Sequence, residues 1–173
     1  WLGHSTFKIV SPNGSVIYID PFLSQNPSTP DEFKEVDKAD FILLTHGHDD
    51  HVGDTIDIAK KTGAKVVGML ELISLLWKDG LPEDQGIQFN KGGTVNFEDF
   101  SVTMVSANHS SSYNGQYAGD PAGLILSFED DIGCLLIFTF ASCVLSECLF
   151  CSALVFKDIK SLPRLTQILP VFL

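Results

Sequence analysis

The feature that most constrains this chain is an apolar run that ends abruptly in a cluster of polar, ligand-type residues. Phe41-Ile42-Leu43-Leu44 is followed directly by Thr45-His46-Gly47-His48-Asp49-Asp50-His51. A continuous apolar run of this length reads as a strand covered on both faces. A helix would turn His46 and His48 to different faces, so the pair needs an extended or looped backbone, and Gly47 between them suits one. Loops leaving the carboxyl ends of buried strands are where α/β sheets hold their sites. Imidazole nitrogens and a carboxylate are also the donor set that borderline divalent ions prefer. Four such fixed positions arise by chance on the order of once per million starting points. Without a ligand, four polar groups beside an apolar strand would be hard to satisfy. The cluster is therefore read as a metal centre rather than as ordinary hydrogen-bonded histidines.

The surrounding sequence supports sheets covered by helices. Phe7-Lys8-Ile9-Val10 and Val16-Ile17-Tyr18-Ile19 predict a hairpin about the turn Ser11-Pro12-Asn13-Gly14, ended by Asp20-Pro21. A polar, proline-bearing loop runs from there toward Asp40. Residues 55–62 have helical spacing, with Asp54 expected as N-cap and Gly63 as the residue just past the end. A strand at 65–67, a helix at 71–78 closed by Asp79-Gly80, and short strands between Gly92 and Val105 about a turn at Glu98-Asp99 follow. Alternating strands and helices together with hairpins place the chain in the α/β or α+β classes.

Bulk properties narrow the partners. With 173 residues and 45% hydrophobic content, one domain with a real core is the default. A formal net charge of −11 argues against nucleic acid, which requires clustered Lys and Arg. The start at Trp1 reads as a clipped front, so the lack of a legible targeting signal says little about compartment; a cytoplasmic location is the expectation. All four cysteines, Cys134, Cys143, Cys148 and Cys151, follow residue 131. Cys148 and Cys151 have the C-x-x-C form, but no second pair or His pair lies at zinc-finger distance, so no metal or redox role is expected there.

Two further histidines complete the candidates. His109 follows a second apolar run, Val102 to Val105, and is again a histidine at the exit of an expected strand; two strand ends meeting at one rim would bring it to the ion of His46 and His48. His4, in Trp1-Leu2-Gly3-His4-Ser5-Thr6, is read either as an ordinary hydrogen-bonded residue or as one facing substrate.

Trp-Leu-Gly-His-Ser-Thr-Phe at 1–7, Ile-Asp-Pro-Phe-Leu at 19–23, Leu-Leu-Thr-His-Gly-His-Asp-Asp-His-Val-Gly-Asp at 43–54 and Asn-His-Ser-Ser-Ser at 108–112 closely resemble the metallo-β-lactamase superfamily. Gly-Asp-Pro-Ala-Gly at 119–123 looks most like its UPF0173 metal-dependent hydrolases. The resemblance covers residues 1 to about 131 and implies the N-terminal portion of an αββα sandwich. It also implies that His46, His48 and His109 bind one metal, that Asp50 and His51 bind a second, and that Asp50 serves catalysis. By the same resemblance Asp20 stands behind the ligands, where a carboxylate orients a loop or a histidine. Two divalent ions are implied per complete site, zinc first, with manganese or iron as alternatives. The implied chemistry is attack by a metal-bound hydroxide on a small ester, lactone or phosphodiester. Ser110, Ser111, Ser112 and Tyr113 are candidates to line the pocket.

The sequence departs from that pattern after Asp131. The family continues to a Gly-Asp-Thr segment whose Asp bridges the metals and later supplies another His, whereas residues 132–173 contain no His and only Glu147 and Asp158 as acids. The expected organisation is thus a partial hydrolase domain at 1–131 and a divergent, apolar, Cys-rich tail at 132–173. Three readings of residues 132–156 are weighed: a buried strand pair, a membrane helix disfavoured by Glu147, and a stretch foreign to the domain. The functional alternative to a hydrolase is a truncated metal-binding remnant without turnover.

Overall fold

In the computed structural model, residues 1–128 are described in full and residues 134–140 and 151–157 as strand backbone. The hairpin forms where the alternation places it, β1 at Phe7–Val10 and β2 at Val16–Ile19, with Phe7 opposite Ile19. The apolar run becomes β3 at Phe41–Leu43, and Leu44 continues it by donating its N–H to the Val67 carbonyl. β4 at Lys65–Met69 and β5 at Gly86–Phe89 complete a five-stranded sheet in the order β1-β2-β3-β4-β5. From β2 onward its pairings are parallel.

The burial expected of the apolar run holds for three of its four residues: Ile42, Leu43 and Leu44 are all 0% exposed, while Phe41 is half-buried. One side is covered by helices. α2 at Thr55–Thr62 buries Ile58 and Ala59 and ends at Gly63 with φ 80°, a left-handed turn that glycine adopts without strain. α3 at Leu70–Lys78 buries Leu72, Ile73, Leu75 and Leu76, the stripe of an amphipathic helix, against β4 and β5. Before them lies a single helical turn, α1, at Asp49–Val52.

The second sheet covers the other side. β6 at Thr94–Asn96 and β7 at Phe100–Ser106 flank the expected turn, and β10 at Ala122–Phe128 pairs antiparallel with β7. The strands β11 at Cys134–Phe140 and β12 at Cys151–Lys157 continue this sheet in the order β12-β11-β10-β7-β6. A small hairpin, β8 at Ser112–Tyr113 and β9 at Gln116–Tyr117, stands between β7 and β10. The sheets meet through aromatic contact: the Phe41 ring lies 4.5 Å from Phe97 and 5.0 Å from Phe100, centre to centre. Among the described residues the result is one helical layer on two facing sheets, the N-terminal portion of an αββα sandwich of the α/β class.

Asp54 is the N-cap residue of α2, as expected, its carbonyl accepting the Ile58 N–H, but its side chain does not cap the helix; the carboxylate accepts from the Leu23 and Ser24 N–H groups, tying the loop after β2 to the start of the helix. The long loop toward Asp40 also contains a 3-10 turn at Asp31–Phe33, supported by a Phe33 N–H to Pro30 carbonyl bond. Of the three readings of residues 132–156, a strand pair is what the described backbone forms. The boundary expected at residue 131, together with Cys143, Glu147 and Cys148, lies outside the described residues. Among the described residues no helix is long and apolar enough to cross a membrane.

Candidate metal centre

The site forms where the carboxyl ends of β3 and β7, one from each sheet, reach the same rim of the sandwich. Beyond Leu44 the chain turns through Thr45 and His46, both 1% exposed. His48 is the extended residue at the start of α1, and Asp50 and His51 sit within that turn. Gly47 is needed for close approach: a Cβ there would lie 2.5 Å from the Ala118 Cβ and 3.1 Å from the Ser112 carbonyl oxygen. Lacking a side chain, it lets the segment pass under the β8–β9 hairpin, and its N–H donates to the Ser111 hydroxyl at 3.1 Å. This docking sets the exit of β7, with His109, beside His48.

Three imidazoles converge. His48 Nδ1 lies 3.1 Å from His46 Nε2 and 3.2 Å from His109 Nε2. Hydrogen bonding behind the ring sets the tautomer of His46. The Thr45 hydroxyl donates to Asp20 Oδ2 at 2.6 Å, so at 3.0 Å from His46 Nδ1 its oxygen is left to accept. Nδ1 then carries the proton and Nε2 presents its lone pair inward. Burial, reinforced by His51 and partly opposed by Asp20, pushes the pKa of His46 down to about 3, so the ring is neutral at physiological pH. Burial and the nearby His48 and His51 lower His109 as well. Neutral imidazole is the form that binds metal.

The donor set fits a divalent cation. His48 Nδ1 has a single proton or a single lone pair, yet it faces two other ring nitrogens; hydrogen bonding cannot fully satisfy all three, whereas a shared cation can. The three donor atoms lie within 4.8 Å of one another.

A second group abuts the first. His4 Nε2 lies 3.2 Å from Asp50 Oδ2 and 3.3 Å from His51 Nε2. Asp20, fully buried and held at φ 45°, receives His51 Nδ1–H at 2.8 Å on Oδ2 and the Thr45 N–H at 2.9 Å on Oδ1. One carboxylate thus reaches a histidine of each group, His51 directly and His46 through Thr45. Burial disfavours charge on His51, but Asp20 and Asp50 outweigh it and raise its pKa, making this end of the site a place for positive charge. Beside Asp50 opens a cleft of about 640 Å³, whose lining includes Phe22, Asp49, Asp79, Tyr113 and Asn114.

All seven residues singled out in the sequence, His4, Asp20, His46, His48, Asp50, His51 and His109, lie at this rim. Of the serines, Ser110 approaches His48 Nε2 at 3.4 Å and Ser111 supports Gly47. Tyr113 lines the cleft, and Ser112 is exposed on β8. Sequence reasoning missed Thr45. The signal was present, a hydroxyl residue directly before the first histidine at a buried strand end, but its partner Asp20 is distant in sequence.

Comparison with known proteins places this geometry. Residues 16–132 match the model of the beta-lactamase superfamily domain. A UPF0173 metal-dependent hydrolase of Herpetosiphon aurantiacus is 44% identical over 149 residues, covering 83% of this chain and 61% of that protein. One of Myxococcus xanthus is 50% identical over 135 residues, covering 75% of this chain and 47% of that protein. The chain therefore spans less than two thirds of the length of these curated relatives. Among solved structures, a metallo hydrolase from Ignicoccus hospitalis superposes with a TM-score of 0.64 at 31% identity, over 78% of this chain and 56% of that one. The Rm3 metallo-beta-lactamase, at TM-score 0.53 and 18% identity over 78% and 54%, shares the fold.

Proposed function

This chain belongs to the metallo-β-lactamase superfamily as a UPF0173-like protein, and from that premise we propose that it is a two-metal hydrolase of a small ester, lactone or phosphodiester. In this reading His46, His48 and His109 hold one ion and Asp50 and His51 hold another, with zinc the first expectation and manganese or iron also suited to the donors. The observation that carries it is the convergence of three imidazoles from two sheets on one point, with a carboxylate-rich group beside them.

When bound, such ions supply Lewis acidity, acidifying water and polarising a carbonyl or phosphoryl oxygen. The protein's part is preorganisation. Asp20 and Thr45 hold the rings of His51 and His46. Asp50, half-exposed, faces the cleft and offers a carboxylate where substrate enters. The cleft has the size of a small-molecule site, which supports a small substrate.

A second reading, a metal-binding remnant without turnover, is favoured by one observation: residues 132–173 contain no His and only Glu147 and Asp158 as acids, so the family's bridging Asp and later His have no counterpart there. Metal analysis with a turnover assay separates the two. Uptake of about two equivalents of zinc or manganese with hydrolysis of a generic phosphodiester or lactone is expected of the hydrolase. One weakly held ion without turnover would leave the remnant. His48→Ala should abolish binding at the three-imidazole site, and unchanged metal content in that variant would count against the site itself.

A further inference from the structure

The family resemblance assigns Asp50 and His51 to a second ion, and a further histidine, His4, faces both of them. We propose that His4 is a third donor to that ion, so that His4 Nε2, Asp50 and His51 Nε2 form a second metal site made wholly from the first 51 residues. The inference rests on the reading of this rim as a metal centre.

The first argument is geometric. His4 Nε2 stands 3.2 Å from Asp50 Oδ2 and 3.3 Å from His51 Nε2, with the two rings edge to face at 4.9 Å between centres. The three donor atoms fall within 4.8 Å of one another, as do those of the His46, His48 and His109 group. Asp20 holds His51 by Nδ1, which directs the lone pair of Nε2 toward His4.

Valence gives the second argument. His4 Nε2 carries at most one proton, so it cannot make a full hydrogen bond both to the Asp50 carboxylate and to the His51 nitrogen. A role limited to orienting Asp50 would leave the His51 nitrogen facing another nitrogen at 3.3 Å without a partner of its own. A cation is satisfied by all three donors at once. Two carboxylates, Asp20 and Asp50, flank the two imidazoles, so the local field favours positive charge between them.

The backbone gives a third. His4 is held at φ 48°, a left-handed conformation unusual for a residue with a side chain, directly after Gly3 at φ 102°. The surrounding structure maintains it: the Trp1 indole N–H donates to the His4 carbonyl at 2.7 Å, and the Thr6 N–H closes a turn onto the Gly3 carbonyl at 3.0 Å. Strain of this kind, stabilised from both sides, brings a ring with 12% side-chain exposure onto the metal rim.

The test loads the metal-free full chain with Zn²⁺ and follows uptake alongside ring-nitrogen NMR of the five histidines. In the wild type, about two equivalents should bind. His46, His48 and His109 nitrogens should shift on one binding step, and His51 Nε2 and His4 Nε2 together on the other. His4→Ala should take up about one equivalent and retain the shifts of the three-imidazole site, with His4→Gln as a milder substitution if alanine prevents folding. The inference is overturned if either folded variant keeps both equivalents at unchanged affinity. It is equally overturned if His4 Nε2 in the wild type stays unshifted while His51 moves, a result that needs no variant. A first ion with no second removes this inference and leaves the three-imidazole site standing; no uptake at all and no shift removes both.

Discussion

Thr45 shows how far a single side chain can act in this site without touching an ion. Its hydroxyl gives its proton to Asp20 and accepts that of His46 Nδ1, which leaves Nε2 as the inward donor. Replacing Thr45 by Val keeps the shape and removes the acceptor. Loss of such a supporting contact typically costs about 10–100-fold in metal affinity, so calorimetric zinc titration of Thr45→Val should show a weakening of that order, and Thr45→Ser should restore most of it. Equal affinity in the Val and Thr proteins would mean the hydroxyl does not set the tautomer. At this scale the candidate donors were legible in the sequence, because His-x-His-x-Asp-His at the end of an apolar strand is a donor set that suits a divalent ion. Thr45 and the strained backbone of Asp20 and His4 were not, since a tautomer and a φ angle depend on neighbours far along the chain.

Among the elements, α3 and the β8–β9 hairpin are joined across the cleft by a hydrogen bond: the Tyr113 hydroxyl donates to Asp79 Oδ2, and Asp79 ends α3. Burial, then the hydrogen bond and charge of Asp79, raise the Tyr113 pKa above its ordinary value. A group whose folded pKa is raised contributes stability below its unfolded pKa, about 10 for tyrosine, and that contribution is lost as pH rises toward the folded value. The stability advantage of the wild type over Tyr113→Phe should therefore be constant to about pH 10 and shrink above it in urea unfolding. The phenolate absorbance difference between the two proteins should titrate above that pH; a difference titrating at or below it would show that the bond does not persist in solution. Elements with strong periodicity were readable, β1, β2 and α2 at their observed bounds. β5, with Gly86 and Gln88 among four half-buried residues, and the two-residue strands β8 and β9 were not, because their pairing depends on a sheet edge and a turn rather than on their own pattern.

Across the whole molecule, the three-imidazole site joins the two sheets, with His46 and His48 following β3 and His109 following β7. An ion held there should resist separation of the sandwich in addition to any chemical role. At zinc one hundredfold above its dissociation constant, the linkage gain is about 2.7 kcal/mol. Urea unfolding should show the midpoint rising with zinc and falling on chelation, with most of the gain absent in His109→Ala. A midpoint indifferent to zinc would show that no ion bridges the sheets. The sequence by itself determined the layered class, the strand that anchors the site and the donor types at its end, because burial pattern and ligand chemistry are local properties. Tertiary structure alone decided that β7 returns to the same rim, that Gly47 lets the hairpin close over it, and that Asp20 reaches both histidine groups. Those depend on how two sheets pack, and packing relates residues whose separation in the chain carries no signal of their contact.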